Sequence, residues 1–98
     1  MTRIDIAKAF FEAINIVQQL NGESNVISDD NLIPRNNLEK FDSLCEINVI
    51  IELEELLKVE IKDKELFLDS DHQPLSINGV VDKLFISFNK KEEIDEKK

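Results

Sequence analysis

Residues 42–58, DSLCEINVIIELEELLK, decide the fold class, because on a helix they carry two apolar stripes instead of one. At about 100° per residue, Val49, Ile50, Leu53, Leu56 and Leu57 gather within roughly a third of the circumference and predict a core-facing side. Leu44, Ile47 and Ile51 recur at three- and four-residue spacing on nearly the opposite side. A surface helix of a small domain needs only one buried stripe. The second, bordered by Asn48, Glu54 and Glu55, reads as an exposed apolar strip with an acidic margin, a surface suited to a partner with a basic rim. The competing expectation is that the preceding loop folds over Leu44, Ile47 and Ile51 and buries them. The helix starts at Asp42 or Ser43, since either side chain can cap first-turn amides, and Ser43 with Glu46 fits a capping box.

Outward from this helix the chain reads as helical. With two glycines, two prolines and dense Leu, Ile, Glu and Lys, it disfavours the short, turn-rich strands of an all-β domain. A first helix is predicted over residues 2–20, where Ala7, Phe10, Phe11, Ile14 and Val17 repeat at helical spacing and Gly22 follows as a stop. Residues 23–41 concentrate turn formers around a few apolar anchors and predict a long loop. A short helix is expected near residues 63–69. Ser76 caps a last helix whose face is Ile77, Val80, Val81, Leu84, Phe85 and Phe88. The run from Lys90 to Lys98 has one apolar residue, Ile94, and reads as a disordered tail. The expected organisation is therefore one domain over residues 1–89 plus a charged tail over 90–98.

Composition bounds the function. Ninety-eight residues with 42% apolar content support one small core. The net charge of −9, from 21 acidic and 12 basic residues, repels nucleic-acid backbones and anionic membranes and favours basic protein surfaces as partners. No apolar run reaches membrane-spanning length, and the first residues lack the apolar core of a secretory signal, so a cytoplasmic location is expected. The single cysteine, Cys45, can form no internal disulfide and reads as a small buried hydrophobe.

Asp42-Ser43-Leu44 followed by an acidic amphipathic helix resembles the Asp-Ser-Leu attachment motif of acyl carrier proteins. The stretch from Leu53 to Asp63, LEELLKVEIKD, is similar without a gap to the family's Leu-Glu-Glu-x-Phe helix end and the Ile-Pro-Asp after it. Ser76-Ile77 and Val81-Asp82-Lys83-Leu84 resemble the family's last helix. The resemblance implies an all-α, four-helix acyl-carrier-like bundle with three longer helices, one short helix and a long loop between helices one and two. It implies 4′-phosphopantetheine attached covalently to Ser43, flanked by Asp42 and Leu44, with coenzyme A as its source. It also implies a docking face of Leu44, Ile47, Asn48, Ile51, Glu54 and Glu55 on a monomer that meets a phosphopantetheinyl transferase and acyl-processing enzymes bearing basic patches.

The chain departs from the family in several places: it lacks the glycine usual before the motif, has Cys45 and Asn48 at usually acidic positions, Lys62 for proline, and a longer link over residues 70–74. These leave open fatty-acid, polyketide or related pathways, an aminoacyl or peptidyl cargo, and an unmodified acidic adaptor that uses the same face.

Enzymatic chemistry finds little purchase. A nucleophilic serine needs a base within hydrogen-bond reach, and the only histidine, His72, lies far along the chain in a loop. Neither catalytic residues nor a metal site are expected. Asp69-Ser70-Asp71 opens like a calcium loop, but Pro74 and Val80 stand where that loop needs glycine and glutamate.

Overall fold

The structure is a computed structural model that describes residues 2–22, 27–38, 41–62 and 65–96, with side chains placed as far as residue 88. It is an all-α bundle of four helices: α1 (Arg3–Leu20), α2 (Pro34–Asn37), α3 (Ser43–Leu57) and α4 (Ile77–Glu96). A single antiparallel bridge, Leu68 to Pro74, is the extended pairing among the described residues. No helix among them is long and apolar enough to cross a membrane.

The first helix forms where its periodicity places it. Thr2 accepts the Asp5 amide at 3.2 Å as N-cap, and the chain leaves through Gly22 at φ +85°, a left-handed turn that glycine takes without a Cβ penalty. Ile6, Phe10, Ala13, Ile14 and Val17 lie on its buried face, against which α3 and α4 both pack.

The long loop is organised by specific contacts. The Asn15 amide brackets Ile27, accepting its N–H at 2.7 Å and donating to its carbonyl at 3.0 Å, and so buries that side chain. Pro34 then starts α2, where its missing donor and fixed φ cost nothing. A short helix thus lies inside the predicted loop, where none was expected. At the position where one is expected, residues 63–64 lie outside the described residues and 65–67 form a turn. The backbone groups of that segment are satisfied elsewhere. Asp69 accepts the amides of Asp71 and Gln73 at 2.8 and 3.0 Å, and the Lys83 ammonium donates to the carbonyls of Glu65 and Leu68.

Ser76 caps α4 through the Gly79 amide at 3.2 Å, and the long loop supplies further acceptors: Ile77 donates to the Leu32 carbonyl and Asn78 to that of Asp30. Arg3 joins the start of α1 to α4 through Asp82 at 2.6 Å and through the Asn78 side chain. Ile77, Val80, Val81 and Leu84 are buried, with Phe85 and Phe88 packed at the margin. The α4 backbone stays helical to Glu96, past the stop expected at Asn89, and the tail's side chains lie outside the described ones.

Candidate attachment site and docking strip at the start of α3

The position of Ser43 is set from below by aromatic packing. Phe41 is buried and meets Phe67 at a ring separation of 5.7 Å, and Phe67 meets Phe10 of α1 at the same distance. Edge-tilted pairs of this kind anchor the chain two residues before the serine. With Phe41 held inside, Asp42 emerges extended, at φ −109° and ψ −172°, and its carboxylate accepts the Cys45 amide at 3.0 Å. That backbone N–H favours the ionised form and holds the Asp42 carboxyl below its ordinary pKa.

Asp42 is therefore the N-cap, and Ser43 is the first helical residue, exposed and spared the capping role. The capping box expected from Ser43 and Glu46 does not form. With the cap one residue earlier, the position from which a glutamate reaches back is occupied by Cys45, and Glu46 falls one step too far along the helix. Glu46 turns instead to Arg35 of α2, which donates Nε–H to Oε2 at 2.5 Å and Nη2–H to Oε1 at 2.9 Å. Glu46 is only 8% exposed, and its bidentate hydrogen bonds raise the Arg35 pKa above its ordinary value. Arg35 escapes a periodicity reading because α2, at four residues, is too short to show a period. The available signal was an arginine beside a helix-starting proline, in a chain with only one other arginine.

Ser43 opens on a groove of about 250 Å³ whose other walls are Arg35, Glu46, Ile47, Ile50, Glu65 and Leu68. Below the serine, Leu44, Ile47 and Ile51 are 63%, 53% and 46% exposed, so the described residues of the long loop do not cover them. Asn48 and Glu55 are exposed beside them. Val49 and Leu53 on the other side are fully buried.

Two residues depart from their expected places. Leu56, assigned to the core stripe, is exposed. It stands in the last turn, two residues before the left-handed exit at Lys58 (φ 56°), and its cover depends on neighbouring elements that a helical wheel does not contain. Glu54, assigned to the docking margin, is half-buried. Its carboxylate accepts the Ile61 amide at 2.8 Å, while its carbonyl accepts Lys58 and Val59. Glu54 braces the helix exit.

No protein-family model, curated protein or solved structure matches this chain. The functional reading stands on residues 42–55 and their neighbours. Cys45 is buried as expected, with the Asn21 amide donating to its sulfur at 3.1 Å. His72 is an exposed loop residue, 3.5 Å from Glu65. Among the described residues no group of His, Cys, Asp or Glu side chains converges as metal ligands would.

Proposed function

We propose that this chain is an acyl carrier protein, modified on Ser43 and read by partner enzymes along the exposed strip of α3. The observation that carries the proposal is the state of Ser43 itself. The residue is exposed at the first turn of a 15-residue helix, and Asp42 has taken over the capping that would otherwise occupy its hydroxyl. A phosphodiester on that oxygen would lie at the positive end of the helix dipole, which favours negative charge. The residues present therefore fit a serine-linked phosphopantetheine.

The attachment chemistry belongs to a transferase. The Ser43 Oγ–P bond forms as the pyrophosphate bond of coenzyme A breaks, adenosine 3′,5′-bisphosphate departs, and the hydroxyl proton passes to a base on the transferase. The attached arm ends in a thiol that holds acyl groups as thioesters. This chain supplies the anchoring oxygen, the rigid helix beneath it and the apolar surface of Leu44, Ile47 and Ile51, with Asn48 and Glu55 at its margin. Glu54 contributes to the exit of α3 more than to that margin. The reading covers acyl intermediates of fatty-acid, polyketide or related synthesis, and the same features accommodate an aminoacyl cargo.

An adaptor that is never modified would use the same strip but would have no need of an exposed Ser43. Incubation with coenzyme A, magnesium and a broad-specificity phosphopantetheinyl transferase separates the two, read by intact mass. The expected result is one added phosphopantetheine, lost in Ser43→Ala with unchanged helical content. An unmodified wild-type chain refutes the carrier and leaves the adaptor.

A further inference from the structure

The groove beside Ser43 holds a charge arrangement that carriage alone does not require. Three carboxylates stand around the serine: Asp42, whose ionised form is favoured by the Cys45 amide, Glu46, three residues along the helix and nearly buried, and Glu65, which lines the same groove. A phosphodiester on Ser43 adds a further negative charge to this cluster. Like charges gathered at one groove oppose one another unless a cation intervenes. Among the described residues lining the groove, Arg35 is the single basic side chain.

Arg35 is also prepared for such a role. Its Nε and Nη2 are fixed on the two oxygens of Glu46, so the guanidinium is held in one plane. Nη1 makes no hydrogen bond among the described residues, and the side chain remains 38% exposed. An arginine held by a carboxylate on one edge presents its remaining donors in a fixed direction, a geometry matched to phosphate oxygens. The arrangement couples α2, in the long loop, to whatever Ser43 carries.

We propose that Arg35 is a positioning residue for the modified serine: clamped by Glu46, it donates Nη1–H to the phosphodiester on Ser43 and so fixes the direction in which the arm leaves the domain. This rests on the carrier reading. The neutral alternative is a purely structural ion pair between α2 and α3, which would stabilise modified and unmodified protein alike.

The test compares unmodified and fully modified chains of wild type, Arg35→Lys and Arg35→Gln, with intact mass establishing the modification state before each measurement. The first readout is the thermal midpoint in low salt. If Arg35 serves the phosphodiester, modification leaves the wild-type midpoint unchanged or raises it, and lowers that of Arg35→Gln by up to about 4 °C, with Arg35→Lys between them. Salt narrows the difference. A structural pair lowers both states of Arg35→Gln equally, and equal lowering overturns the proposal.

The second readout needs no variant. Arg3 and Arg35 are the only arginines, so the side-chain N–H spectrum contains one probe and one internal control. Modification should move the Arg35 signal and leave Arg3 in place. An unmoved Arg35 signal in a chain shown by mass to be modified overturns the role of Arg35 and leaves the carrier intact. A wild-type chain that gains no mass refutes the carrier reading, and the inference falls with it.

Discussion

Truncating Ile51 and Leu53 in turn, one on each side of α3, gives the sharpest separation of recognition from stability. Leu53 is fully buried, so Leu53→Ala removes buried methylene groups and leaves a cavity, at a cost of about 2–5 kcal/mol. Ile51 keeps 46% of its surface in water, so roughly half of the about 1.5–3 kcal/mol that full burial of such a side chain contributes is at stake. Alanine's higher helix propensity offsets part of that, leaving a net cost of about 0.5–1 kcal/mol. The chain contains neither Trp nor Tyr, so urea unfolding is best followed by far-UV circular dichroism. Rates of phosphopantetheine transfer should fall in the opposite order, with Ile51→Ala slowed and the folded fraction of Leu53→Ala near wild type. The charge probe is Glu55→Lys, whose effect should fade with salt. Glu54 is unsuitable because its carboxylate holds the Ile61 amide. Equal destabilisation by both truncations, with transfer by Ile51→Ala untouched, would refute the assignment of the outward stripe to partners.

Asp42 predicts a pH dependence. Its carboxyl titrates below the ordinary value in the folded chain, so the stability it adds is present above the unfolded pKa of about 3.9 and is lost as pH falls through the lower folded value. Asp42→Asn keeps a capping side chain without the titration, and its stability should fall less steeply than wild type below about pH 4; parallel curves would exclude the cap. Lys58 sits in the left-handed region at φ 56°, so Lys58→Gly should raise stability by about 1 kcal/mol in urea unfolding, and a loss would mean that the Lys58 side chain makes compensating contacts. Removal of residues 90–98 should leave the melting temperature nearly unchanged, because Ile94 is their one apolar residue, and a large fall would make the tail part of the fold.

The helices legible in the sequence are those whose signal is local. In α1 a regular apolar face ends at Gly22, whose backbone turns left-handed freely, and in α4 such a face coincides with the capping Ser76; the structure adds Thr2 as the cap of α1. The two stripes of α3 follow from the same periodicity, which places Leu44, Ile47 and Ile51 opposite the core face, whereas their exposure depends on where the long loop runs. Long-range contacts decided the rest. The helix expected near residues 63–69 is absent from the described residues 65–69, where Asp69, Lys83 and the Leu68–Pro74 bridge satisfy backbone groups in a non-helical path, and a short helix forms separately at Pro34–Asn37. Asp42 rather than Ser43 became the cap because Phe41 is packed against Phe67, fixing where the chain emerges. Glu54 and Glu46 look alike in sequence as acidic residues of one helix. Only the fold brings the Ile61 amide to the first and Arg35 to the second, because a carboxylate's partner is set by which distant backbone or side chain packing delivers to it.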